Sequence, residues 1–133
     1  MKRGRAYEEA RKLGERYPVE YSEADRRVVL ERFDFPPGWD PQFGKLRYEL
    51  PDTYPRDMPT VYVPKEMSYE GGSPTHLLTG ISPYGDSDWS KWCIEDHNAN
   101  WDPASDTLVK LTTMMRASLA DPYSDNPFAE GSA

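Results

Sequence analysis

Cysteine is nearly missing from this 133-residue chain: Cys93 is the only one. A lone thiol excludes any disulfide within the chain, and with it the cross-linked plan of small secreted scaffolds. Histidine is almost as scarce. His76 and His97 have no second cysteine or suitably spaced ligand beside them, so no metal site is expected. Long apolar runs are missing too, and nothing approaches the ~18 consecutive apolar residues of a membrane span. The basic start Met1-Lys2-Arg3-Gly4-Arg5 leads into a Glu-rich stretch that lacks the apolar core of a signal peptide. These absences lead us to expect a soluble, cytoplasmic protein. Positive charge is outnumbered, with 16 Lys and Arg against 23 Asp and Glu and a net charge of −7. That balance argues against nucleic acid as the main partner. No repeat or low-complexity tract divides the chain, and its length suits one domain over 1–133 with its own core.

The charge is unevenly spread. Lys2, Arg3, Arg5, Arg11, Lys12 and Arg16 outnumber Glu8, Glu9 and Glu15 near the start, whereas Asp86, Asp88, Glu95, Asp96, Asp102 and Asp106 surround Lys91 alone. Two patches of opposite sign are suited to steering different partners, or to forming a mixed solvated surface.

The spacing of Ala6, Ala10, Leu13 and Tyr17 predicts a helix over 3–16 with one narrow apolar stripe, stopped by Pro18. Strands are expected over 27–35, with Val29, Phe33 and Phe35 on one face, and over 45–50. There Leu46, Tyr48 and Leu50 point one way and Lys45, Arg47 and Glu49 the other. Residues 60–63 form a further short strand, and 19–21 a weaker one. Tight proline-rich turns between them suggest an antiparallel meander of four strands. Residues 64–92 show little periodicity and read as loop, marked by Gly71-Gly72-Ser73-Pro74 and Ser82-Pro83-Tyr84-Gly85-Asp86. A last helix near 106–119 is capped by Ser105 or Asp106 and buries Leu108, Leu111, Met115 and Leu119.

Cys93 stands in Trp92-Cys93-Ile94-Glu95-Asp96-His97-Asn98-Ala99-Asn100-Trp101-Asp102-Pro103. A thiol is the strongest nucleophile among common side chains near neutral pH, because part of it is already thiolate. From its own setting Cys93 is either such a nucleophile or a small buried hydrophobe.

Two blocks together resemble the ubiquitin-conjugating enzyme family. The first is Tyr48-Glu49-Leu50-Pro51-Asp52-Thr53-Tyr54-Pro55-Arg56-Asp57-Met58-Pro59-Thr60-Val61, similar to the family's strand–turn–strand with its "YP" pair and later proline. The second is an ordered set: Cys93, then Trp101-Asp102-Pro103, a helix, Leu119-Ala120-Asp121-Pro122 and Asp125-Asn126-Pro127. The resemblance covers most of residues 3–128. It implies an α+β fold with an N-terminal helix, the four-stranded meander, an active-site loop and a following core helix, without the usual C-terminal helices. Three departures stand out. The family's His-Pro-Asn element is absent, the stretch between Pro59 and Cys93 is long, and the chain ends soon after Pro127. Short prokaryotic relatives share this abbreviated pattern, which suggests a role in antiphage defence.

The activity implied is transfer of a ubiquitin-like modifier. Cys93 would accept the modifier's C-terminal carbonyl from an activating enzyme as a thioester, then pass it to a lysine amine of a target protein. No cofactor is called for. Glu95 and Asp96 should hold the thiol's pKa up. Asp96 is the candidate base for the incoming amine, or a solvated carboxylate. Asn98, Asn100, His97 or a backbone N–H beside Cys93 are candidates to replace the missing asparagine at the oxyanion. Trp101 and Pro103 would pin the loop after Cys93 and start the helix. Arg5, Lys12 and Arg16 would dock the activating enzyme. Trp89 and Trp92 either pack under the site or contact the modifier, and Trp92 is assigned to partner binding. Two rivals remain: a non-catalytic binding module on the same fold, and a cysteine hydrolase using His97 as base.

Overall fold

A computed structural model of the chain describes residues 4–74, 77–78, 87–92, 101–102 and 104–123. Over these the fold is α+β, with an N-terminal helix, a sheet core and a helix that follows it. Helix α1 (Arg5–Leu13) is shorter than its pattern predicts. Gly14 ends it, and the Glu15, Arg16 and Tyr17 amides bond back to Lys12 and Leu13 in a turn that stops before Pro18. Ala10 and Leu13 are buried, so the narrow stripe is real.

The strands are β1 (Val19–Ser22), β2 (Arg27–Asp34), β3 (Trp39–Asp40), β4 (Phe43–Glu49), β5 (Thr60–Pro64), β6 (Ser68–Tyr69), β7 (Leu77–Leu78) and β8 (Trp89–Trp92); helix α2 (Leu108–Ala120) follows. Six of them form one sheet in the order β1-β2-β4-β5-β8-β7, every pairing antiparallel. A separate ribbon joins β3 to β6. The sheet is therefore wider than a four-stranded meander, and the extra strands come from the stretch expected to be loop.

One face of the sheet is the core. Val28, Tyr48, Val61, Trp92 and Leu77 form a row across it, each paired with its neighbour and each buried. Helix α2 lies on this face, and all four of its predicted core residues, Leu108, Leu111, Met115 and Leu119, are fully buried. Three polar contacts fix its register. The Tyr48 hydroxyl and the Thr112 hydroxyl are 2.6 Å apart, the Trp92 indole N–H donates to Ser118 Oγ at 2.9 Å, and the Trp39 indole N–H donates to the Leu119 carbonyl at 2.8 Å. Burial pushes the Tyr48 phenol far above its usual range, so this hydroxyl stays neutral.

The face expected for β2 is corrected. Leu30 pairs with Leu46 but Phe33 pairs with Gly44, because a bulge intervenes. An extra residue in one strand inverts the in–out alternation beyond it. Val28, Leu30 and Phe33 therefore share the core face, and Val29 lies on the other side opposite Arg47. That outer face is not uniformly wet. Arg47 is buried, pairs with Glu49 Oε2 at 2.5 Å, and sets its guanidinium 5.6 Å from the Trp89 ring. Among the described residues no helix is long and apolar enough to cross a membrane.

Ser90 is fully buried on β8 with no hydrogen-bond partner for its hydroxyl. An orphaned buried hydroxyl gives nothing back for its desolvation. Ser90→Ala is expected to leave stability unchanged or raise it by up to about 1 kcal/mol in urea unfolding. A comparable loss would contradict this.

Candidate functional site

Cys93, Asp96, Asn98, Asn100 and Pro103 lie outside the described residues, as do His76 and His97. The structure describes what flanks them. Trp92 is the last residue of β8, immediately before Cys93 in the chain, and Trp101 follows Asn100.

Trp92 is fully buried, wedged edge-on against Trp39 at a centroid distance of 5.7 Å and bonded to Ser118 on α2. Its assignment to partner binding is corrected: the ring has no surface to offer. Strand β8 turns Ser90 and Trp92 inward and Trp89 and Lys91 outward. This puts a serine where an apolar residue would be read and leaves Trp89 half-buried outside.

Trp101 is buried at the other end of the segment. Its indole N–H donates to the Pro55 carbonyl at 2.7 Å, and its ring packs 6.3 Å from that of Tyr54. The bond spans 46 positions in sequence and ties the residues before α2 to the β4–β5 connection. The connection is itself a folded turn, held by Tyr54 N–H to the Pro51 carbonyl and Arg56 N–H to the Thr53 carbonyl.

Beside that contact lies a buried carboxylate. Glu9, on the inner side of α1, accepts the Tyr54 hydroxyl on Oε1 together with the Leu108 N–H at 2.9 Å, and its Oε2 accepts Arg5 Nε. Leu108 is the first residue of α2, so Glu9 supplies an anion to a free N–H at a helix start, where the dipole favours it. Burial, reinforced by the hydrogen bond to Glu9 and that group's charge, drives the Tyr54 phenol well above its usual range, so Tyr54 donates. Arg5 also reaches the Asp106 carbonyl at 2.5 Å. Composition alone did not single out Glu9. The available signal was its place at i+3 in the stripe of Ala6, Ala10 and Leu13, where a carboxylate needs an internal partner.

The start of α2 differs from expectation. Thr107 is the N-cap, its hydroxyl accepting the Lys110 N–H at 3.2 Å. Ser105 and Asp106 are engaged one turn earlier: Ser105 Oγ donates to Asp102 Oδ2, and Asp106 Oδ2 accepts the Asp102 N–H, both at 2.8 Å. Hydrogen bonds from Ser105 and the Ala104 N–H hold the Asp102 carboxyl below its ordinary range.

Of the three cations assigned to docking, Arg5 is turned inward to Glu9 and Asp106 and is not a free surface charge. Lys12 and Arg16 are exposed and form no ion pair with a described residue. Together with Val109 and the acidic Glu8 and Glu15 they line a groove of about 680 Å³ between α1 and the start of α2. No protein-family model matches the chain, and no curated protein sequence matches it.

Trp101→Phe keeps an aromatic ring in the site but removes the N–H donor to the Pro55 carbonyl. It is expected to cost about 1 kcal/mol in urea unfolding, against about 3–5 kcal/mol for Trp101→Ala. A neutral Trp101→Phe would show that the bond fastens nothing.

Proposed function

We propose that the chain is a ubiquitin-conjugating-type enzyme. The Cys93 thiolate attacks the activated C-terminal carbonyl of a ubiquitin-like modifier, expels the activating enzyme's leaving group, and holds the modifier as a thioester. A lysine amine of the target then attacks that carbonyl, an amide forms, and the thiolate departs. In this reading Asp96 takes the proton from the amine, and Asn98 and Asn100 are the donors nearest in sequence for the oxyanion. Features of the fold support the same reading: α1, strands β1, β2, β4 and β5 as successive neighbours in the sheet with β3 set apart in its own ribbon, and α2 across them, with β8 and β7 as additions.

The observation that carries the proposal is the bond from the Trp101 indole to the Pro55 carbonyl. The family resemblance rests on two sequence blocks, one around Tyr54-Pro55 and one running from Cys93 through Trp101. A direct contact between them is what a shared site requires. The exposed pair Lys12 and Arg16 suits an acidic docking surface on the activating enzyme.

The absence of a His-Pro-Asn element favours the second reading, a non-catalytic module that binds a modifier. Incubation with an activating enzyme, a modifier and ATP, followed by a non-reducing gel, separates the two. Catalysis predicts a modifier adduct that thiol reductant removes and Cys93→Ala abolishes. It also predicts that Cys93→Ser gives an adduct that resists reductant, because an oxyester replaces the thioester. Modifier binding without any adduct, in a partner set that charges another conjugating enzyme, would support the binding module and overturn the enzyme.

A further inference from the structure

Strand β1 ends the six-stranded sheet, and no described strand lies along its outer edge. Which of its backbone groups face outward follows from one bond. The Glu31 N–H donates to the Pro18 carbonyl at 2.7 Å, in the same register that pairs Val19 with Leu30 and Glu20 with Val29. Antiparallel ladders alternate bonded and non-bonded pairs. Pro18, Glu20 and Ser22 therefore direct their backbone groups to β2, and Val19 and Tyr21 direct theirs away from it. Apart from the sheet itself, no backbone bond from a described residue reaches Val19 or Tyr21. Two N–H donors and two carbonyl acceptors are thus presented in line, a pattern that an extended chain satisfies.

The side chains add selectivity. Val19 and Tyr21 lie on the helix side, where they line a groove of about 350 Å³ with Tyr7, Ala10 and Gly14 of the α1 region. Its two charged lining residues, Arg11 and Glu15, are of opposite sign, so the groove favours apolar groups over either charge. Glu20 points to the other face, is exposed, and forms no ion pair with a described residue.

We propose that β1 is a docking edge for an extended segment of another protein in which a Lys or Arg is flanked by two apolar residues. The segment adds to the sheet as an outer strand. Its basic side chain meets Glu20, and its flanking side chains enter the groove beside Tyr7 and Ala10. A second copy of this chain fits poorly. The register that joins the outward groups of Val19 to those of a second Tyr21 sets Glu20 against Glu20, and like charges directly opposite are destabilising. The edge is independent of the thioester reading. Tyr21 and Trp92 lie in one row of the sheet, four strand spacings or roughly 19 Å apart.

The test uses the ¹⁵N-labelled full chain and a set of five-residue capped peptides, Thr-Leu-X-Leu-Thr, with X varied over Lys, Arg, Ala and Glu. Amide exchange is followed residue by residue at millimolar peptide. The Lys and Arg peptides should slow exchange at Val19 and Tyr21 and leave the Glu20 amide, already bonded to β2, unchanged. In Glu20→Lys the preference should invert, with the Lys peptide weakened roughly threefold or more and the Glu peptide strengthened. Tyr21→Pro, which removes an outward donor, should abolish binding while an unchanged melting temperature reports an intact fold. If it does not fold, Glu20→Lys decides alone. Absence of peptide-dependent protection at Val19 and Tyr21 would overturn the proposal, as would protection indifferent to the charge at X. Protection that rises with protein concentration alone would assign the edge to a second copy and overturn it too.

Discussion

A carboxylate buried in a small domain must be satisfied from within, and the way Glu9 is satisfied constrains much of this molecule. Its side chain is only 7% exposed. Taking such a group out of water is costly unless donors surround it, and removing one partner of a buried charged pair typically costs about 3–5 kcal/mol. The donors come from three places: Arg5 one turn earlier on α1, Tyr54 on the β4–β5 connection, and the first N–H of α2. No two of these elements can shift relative to each other without unpairing the charge. The positions of α1, the connection and the start of α2 are thus one constraint.

The segment that bears Cys93 is framed by the consequences. Strand β8 delivers Trp92 into the core, where Ser118 of α2 holds its indole. Trp101 is held on Pro55, next to the Tyr54 that Glu9 fixes. Trp92 and Trp101, which flank positions 93–100 in the sequence, are thus each bonded through the ring nitrogen to a different element. For the chemistry proposed at Cys93 this matters, because a thiol that must meet another protein's C-terminus gains from fixed chain entry and exit. Lys12 stands on the same helix as the buried carboxylate and Arg16 in the turn that ends it, so the docking proposed for this pair would fall on an element that Glu9 fixes.

Much of the architecture could be read directly from the residues. The Ala6, Ala10, Leu13 stripe, the alternation of Leu46, Tyr48 and Leu50, and the Leu108, Leu111, Met115, Leu119 spacing each correspond to a buried face. Failures had local causes. A bulge between Leu30 and Phe33 reversed the face of Val29, because periodicity assumes no inserted residue. Strand β8 was missed because its inward positions are Ser90 and Trp92 while Trp89 faces out, which erases the polar–apolar alternation. Thr107 displaced Ser105 and Asp106 as cap because those two were already bonded to Asp102. Trp92 reads from sequence either as packing under the site or as contacting the modifier, and is assigned to the second; it fills the core, and aromatic type alone does not separate the two. The site was less legible than the fold. Glu9, Arg5 and Tyr54 converge from positions up to 49 residues apart, and only the tertiary structure brings them together.

Glu9 and Tyr54 thus act as one unit joining α1 to the β4–β5 connection. A double-mutant cycle with Glu9→Gln, Tyr54→Phe and the double variant, measured by urea unfolding at neutral pH, tests it most directly. The second substitution is expected to cost much less once the first is made, with a coupling of about 2 kcal/mol, as for a hydrogen bond to a charged group. Costs that add to within about 0.5 kcal/mol would mean the two side chains are independent, and would contradict it.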